Sequence, residues 1–195
     1  MKYFIILLFM CTSLSGIAQS TTWKVDDLHS KIGFSVEHMM VSETEGTFDK
    51  YEAVILSDEE SFSDIKVDFK IDVSSVNTRN EVRDKHLRAN DFFNVEKYPA
   101  ITFKSVEVIK GEKEGSFLIV GDLTIRDVTK RVTFSATHKG TIVKDAFGHT
   151  RAGLLIETTI NRQDYGVAYN GDLEVGGLML GNDVDILCKL SIVKE

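Results

Sequence analysis

The side chains able to do chemistry are few and widely spaced. Five histidines, His29, His38, His86, His138 and His149, could ligate a metal or move protons, but they are scattered without the short His, Cys or carboxylate spacings of a metal site. His29 and His38 fall near the two ends of one apolar-alternating segment and His138 ends another, so a site assembled across strands stays open. No Gly-x-Ser-x-Gly elbow, His-Glu-x-x-His helix or Cys-x-x-Cys pair occurs. The Gly171 to Gly177 stretch lacks the spacing of a dinucleotide fingerprint. The expectation is therefore no catalytic residue, no metal and no cofactor.

Two polar clusters remain. Arg79, Arg83, Asp84, Lys85, His86 and Arg88 crowd one short segment and read as a solvated, ion-paired helix face. A sharper reading puts Arg83 and His86 where they would meet the polar head of an otherwise apolar molecule, or would fix the helix as a plug. Asn161-Arg162-Gln163-Asp164-Tyr165-Gly166 directly follows a strand, and its Arg and Asp read as a structural clamp suited to the planar guanidinium fork.

The elements that hold these residues are mostly strands. Ile32, Phe34, Val36 and His38 alternate with polar residues, as do Ile65, Val67, Phe69, Ile71 and Val73. The same period returns at Ile101/Phe103, Phe117/Ile119 into Leu123/Ile125, Val132 to Ala136, Leu154 to Ile160 and Val184 to Ile192, with weaker segments at Trp23/Val25 and Phe48 to Leu56. That predicts eight or nine antiparallel strands, separated by turn-forming runs such as 110–115 and 144–148. Thr78-Arg79-Asn80-Glu81 has the form of a capping box. Glu81/Lys85 and Asp84/Arg88 have i,i+4 spacing, and Val82, His86, Leu87 and Ala89 share one side, so one helix is expected over residues 79–90. Pro99 precedes a strand, where its missing N–H costs little.

Composition narrows the partners. The 195 residues carry 23 Lys and Arg against 30 Asp and Glu, with no dense basic patch for a phosphate backbone, so nucleic acid is not expected. Residues 1–18 combine Lys2, an apolar run from Tyr3 to Met10 and the small residues Gly16 and Ala18, the pattern of a removable signal peptide. The mature domain would then be residues 19–195, periplasmic or secreted, without stable membrane insertion. Cys188 would be its single cysteine, a small hydrophobe in an alternating run. A homodimer is compatible with the sequence.

Many long antiparallel strands and one helix favour a closed barrel over a sandwich, and a barrel of about eight strands either fills itself or holds one small ligand. Alternation cannot separate those cases, and taken alone it favours the filled core. The motif series changes this. Asp27-Leu28-His29-Ser30-x-Ile32-x-Phe34-x-Val36-x-His38 is followed by Gly46-x-Phe48, then by Arg83-Asp84-x-His86-Leu87 with Asp91-Phe92-Phe93. Tyr98-Pro99-x-Ile101-x-Phe103, Gly121-x-Leu123-Thr124-Ile125-Arg126-x-Val128-Thr129 and Asn161-Arg162-x-Asp164-Tyr165-Gly166 complete it. Six motifs in this order resemble the YceI-like family, with one departure, Asp127 where the family usually has Gly.

The resemblance implies an all-β fold with one short helix, an extended lipocalin-like antiparallel barrel whose tunnel binds a long polyisoprenoid, quinone-tail or fatty-amide chain. The residues expected to face that ligand are Phe34, Val36, Phe69, Ile71, Ile101, Phe103, Leu123, Ile125, Phe134 and Ile156, with Phe92, Phe93, Arg83 and His86 at the mouth. Two other readings stay open: an enzyme acting on a quinone or lipid head group, and an envelope stress or interaction protein that uses the barrel as a scaffold.

Overall fold

In a computed structural model that describes residues 20–171 and 176–195, the period-two segments become eleven antiparallel strands. The signal-peptide reading of residues 1–18 lies outside the described residues. β1 (Thr22–Val25) and β2 (Lys31–His38) are followed by β3 (Ser42–Phe48), β4 (Tyr51–Leu56), β5 (Lys66–Asp72) and the two-residue β6 (Val76–Asn77). The longer strands come after the helix: β7 (Ala100–Lys110), β8 (Ser116–Ile125), β9 (Val128–Ile142), β10 (Arg151–Asn161) and β11 (Leu180–Lys194).

Eight strands close a ring in the order β1, β4, β5, β7, β8, β9, β10, β11, and Trp23 opposite Lys194 with Val25 opposite Ile192 joins its ends. β2 pairs with the first half of β11 and carries β3 and β6 on its other side, so β1 and β2 use one long strand in succession. β9 and β11 each have 15 residues, roughly 50 Å of strand at about 3.3 Å per residue, which makes the barrel deep. The expected eight or nine strands undercount the eleven because β3 and β6 lack an apolar alternation: Ser42-Glu43-Thr44-Glu45 is polar and β6 has only two residues.

The helix α1 (Glu81–Arg88) is shorter than the expected 79–90, and its cap is Asn80, whose side chain accepts from the Arg83 N–H at 3.1 Å. Thr78 is buried instead. Its N–H and hydroxyl both donate to one Asp84 oxygen, at 2.8 and 2.6 Å, while Arg83 Nε donates to its hydroxyl at 2.8 Å. Asp84 is thus turned inward and does not pair with Arg88, which donates to the carbonyls of Ser74 and Val76. Val82, expected on the packed side, is 82% exposed. A capping-box spacing existed at Thr78, but the buried carboxylate competed for its hydroxyl and won.

One end of the ring is shut. Phe62 in the β4–β5 loop is fully buried and its ring lies tilted between those of Trp23 and His138, 5.0 Å from each, and Trp23 Nε1 donates to the Ser57 carbonyl. Nearby, Arg151 bridges Asp26 and Asp145. The Arg151 hydrogen bond, with help from His29, holds the Asp26 carboxyl below the ordinary carboxylate range, and the His149 and Phe147 N–H groups with Arg151 do the same for Asp145.

Carboxyls depressed in the folded state stabilise it above the unfolded pKa near 4, and that contribution is lost as pH falls through the folded value. Asp26→Asn is accordingly expected to melt below the parent at pH 7, with the two melting curves converging as pH drops from about 4. A gap that persists undiminished into strong acid would show that the bridge has no such role.

Candidate functional site

Inward-facing side chains of the ring leave a cavity of about 140 Å³ midway along it. Ile55, Ile65, Ile119, Leu123, Phe134, Ile156 and Leu190 are among its walls, and among the described residues no charged or hydroxyl-bearing side chain lines it. Its rings are fixed by their neighbours: Phe103 meets Phe134 edge to face at 4.9 Å, and Phe34 lies 5.6 Å from Phe48. Cys188 belongs to this wall, where burial pushes its thiol up to about 12 and leaves it an inert small hydrophobe at neutral pH.

Two glycines let the rings lie where they do. A Cβ on Gly121 would stand 2.4 Å from the Phe103 ring and 2.5 Å from the Lys104 carbonyl oxygen, and one on Gly46 would stand 2.3 Å from the Phe34 ring. Both rings lie over bare backbone of the neighbouring strand. Gly121→Ala is expected to drive Phe103 toward the cavity and, as overpacking, to cost about 1–3 kcal/mol, read as a lower urea midpoint. An unchanged midpoint would mean that the ring moves freely.

A second cavity of about 260 Å³ lies at the open end, between β2, β11, α1, the segment after it, and the 3-10 turn Arg162–Tyr165 with the residues that follow. Phe34, Ile125, Ile160 and Val184 line both cavities, so the two meet at a waist formed by those four side chains. Together the volumes fall in the range of roughly 300–1,000 Å³ usual for ligand sites.

The mouth carries polar groups, and its fixed charges are arginines. Arg83, His86, His38 and Arg162 line it, and among the described residues no carboxylate does. His86 Nε2 is held 2.6 Å from Asp91, which lowers the Asp91 pKa, and the His86 ring packs edge-on against Phe92 and Tyr169 at 4.9 Å each. Arg162 is 6% exposed and pairs with no acid among the described residues: Nε donates to the Gly181 carbonyl at 2.8 Å, and Nη1 donates to those of Val167 and Tyr169 at 2.8 and 2.7 Å. Burial lowers its pKa, but guanidinium starts so high that it stays charged at neutral pH. Its neighbour Asp164 pairs instead with Lys130 at 2.9 Å, so the clamp read from this motif consists of arginine and backbone alone.

The β8–β9 turn completes the rim. Ile125 pairs with Val128, leaving Arg126 and Asp127 as a two-residue loop, and the positive φ of 56° falls on Arg126. Asp127, the departure from the motif, keeps a negative φ and accepts a hydrogen bond from the Tyr98 hydroxyl at 2.8 Å. Arg126 donates to the carbonyls of Phe92 and Gly166, tying the post-helix segment to the 3-10 turn.

Each residue expected from the sequence to face the ligand lies on one of the two cavities, whereas His29, His138 and His149 lie on neither. Phe69, Ile71, Ile101, Phe103, Leu123, Phe134 and Ile156 line the inner one, Val36, Arg83, His86, Phe92 and Phe93 line the mouth, and Phe34 and Ile125 line both. Sequence reasoning missed Val184, Ile186, Cys188 and Leu190 as cavity residues although their alternation was plain. It also missed Tyr165, Val167, Tyr169 and Met179, which sit on irregular backbone and so carry no period.

Comparison with known proteins agrees with this geometry. A family model described as YceI-like domain matches residues 23–192. A UPF0312 protein of Staphylococcus aureus strain N315 is 38% identical over 164 residues, covering 84% of this chain and 92% of that protein. The crystal structure of the Campylobacter jejuni YceI protein superposes with a TM-score of 0.69 at 28% identity, over 82% of this chain and 90% of that one. A polyisoprenoid binding domain from Saccharophagus degradans shares the fold at a TM-score of 0.63 and 14% identity, over 90% of this chain and 99% of that domain.

Proposed function

Because the chain belongs to the YceI-like domain family, we propose that it is an exported, non-enzymatic binding protein that carries or sequesters a long-chain lipid, a polyisoprenoid, quinone-tail or fatty-amide type molecule. The tail would occupy the inner cavity and the head the mouth. One observation carries this reading: an inner cavity that, among the described residues, no charged or hydroxyl-bearing side chain lines meets, across a four-residue waist, a mouth whose apolar walls also carry Arg83, Arg162, His38 and His86. A fold neighbour named for polyisoprenoid binding supports it.

Elementary energetics make length the natural basis of affinity. Each methylene removed from water contributes about 0.8 kcal/mol, so some ten of them offset the roughly 4–15 kcal/mol lost on association. No catalytic group is then needed. Export to the periplasm or beyond rests on the signal-peptide pattern of residues 1–18, and among the described residues no helix is long and apolar enough to cross a membrane.

The test is to express the full chain in a host that exports it, extract the purified protein with organic solvent, and identify by mass spectrometry what comes off. Recovery of a stoichiometric long-chain lipid is expected. An empty extract, together with failure of the stripped protein to take up added polyprenyl chains, would rule the reading out.

A further inference from the structure

The mouth cavity holds more unused hydrogen-bonding capacity than an apolar tail could need. Arg162 Nη2 and the Tyr165 hydroxyl are both buried without a protein partner, on residues only 6% and 2% exposed. Both residues line the mouth cavity. Unpaired polar groups at such depth are costly and rare in folded proteins, and a native structure retains them where something else satisfies them. The guanidinium adds a full positive charge, and among the described residues it meets only backbone carbonyls. Arg83 on the exposed side of the same cavity has the same sign.

We propose that this mouth is a head-group site for a lipid carboxylate, held by Arg162 Nη2 and the Tyr165 hydroxyl while the tail passes the waist. The assignment rests on the lipid reading and specifies its head. Charge selects an anion over an alcohol or amide, since a carboxylate would neutralise a buried cation that has no counter-ion among the described residues, and hydrogen bonds to charged groups are the strong ones. Donor count selects among anions. One guanidinium nitrogen and one phenol match the two oxygens of a carboxylate, whereas a phosphate monoester, with three oxygens and up to two charges, asks for more than these two groups leave.

Two compound series separate this proposal from the reading beneath it. The acid, primary alcohol and primary amide of a saturated C16 tail, and the same three heads on a C20 isoprenoid tail, are titrated into delipidated protein by calorimetry, with farnesyl phosphate alongside. The acid is expected to bind at least tenfold tighter than the alcohol in whichever series fits the tunnel. Tyr165→Phe should cut that ratio about threefold at an unchanged or raised melting temperature, because the hydroxyl it deletes has no partner in the fold. An acid-to-alcohol ratio near one, a ratio untouched by Tyr165→Phe, or tighter binding of the phosphate would each overturn the carboxylate assignment while leaving tail binding intact. Failure of every compound to bind would instead overturn the lipid reading itself.

Discussion

Val184→Trp is expected to abolish long-chain binding while leaving the barrel folded. Val184 faces Ile160 on β10 and Val36 on β2, and with Phe34 and Ile125 it forms the waist between the two cavities. An indole there occupies space that is now vacant, so the strain of overpacking is partly offset by new contacts and the melting temperature should stay within a few degrees of the parent. Binding should respond very differently. If six methylenes can no longer pass the waist, about 5 kcal/mol of burial is lost at about 0.8 kcal/mol each, which is more than a thousandfold in affinity.

A chain-length series makes the outcome decisive. In the parent, affinity should rise with each added carbon until the tunnel is full; in the variant it should level off at the length that fills the mouth alone. Parent-like affinity for the longest chains in a folded Val184→Trp protein would mean that the tail does not cross the waist.

Most of this architecture was legible in the sequence because it is written in period two. The alternation Phe69/Ile71, Ile101/Phe103 and Leu123/Ile125 points those residues to one face of their strands, and a closed ring has only one inside. Whether that inside is hollow was not legible. Leu154 and Ile192 are sealed in solid packing while Phe103 and Ile186 face a void, yet all four read as apolar alternation. Vacancy depends on how rings are turned, and the Gly46 and Gly121 backbones that Phe34 and Phe103 lie over belong to the next strands, β3 and β8, outside the alternating segments that carry the rings.

The mouth was legible only in part. Arg83 and His86 stood out by charge on a predicted helix, and the structure brings both to the cavity, but the partners foreseen for that helix were wrong. Asp84 serves Thr78 rather than Arg88, because a carboxylate drawn into the fold takes the nearest donors available to it. Tyr165, Val167 and Tyr169 left no periodic trace. Their position follows from a 3-10 turn ended by Gly166 at φ 72°, with the Val167 N–H returning to the Arg162 carbonyl at 3.2 Å.

That turn makes Arg162 the site of the largest expected loss of stability. Its three carbonyl partners lie on two separate stretches, Val167 and Tyr169 after the turn and Gly181 at the start of β11, so one guanidinium pins the mouth wall to the barrel. Asn170 adds a parallel tie through two bonds to the Leu180 backbone. Arg162→Gln leaves at least one carbonyl without a donor at about 1–3 kcal/mol for each unsatisfied group, and the shorter side chain opens a gap, while relief of an uncompensated buried charge works the other way. A net loss of about 3 kcal/mol is expected, with the melting temperature down by roughly 6–12 °C for a domain of this size.

Amides of residues 166–171 should exchange faster than those of β8 or β9. Asp164→Asn is the matched control from the same motif: its ion pair with Lys130 is half exposed, so less than about 1 kcal/mol is at stake. Equal losses from the two substitutions, or an Arg162→Gln protein as stable as the parent, would show that the wall is held by the Asn170 bonds and apolar packing, with the buried guanidinium kept for the mouth alone.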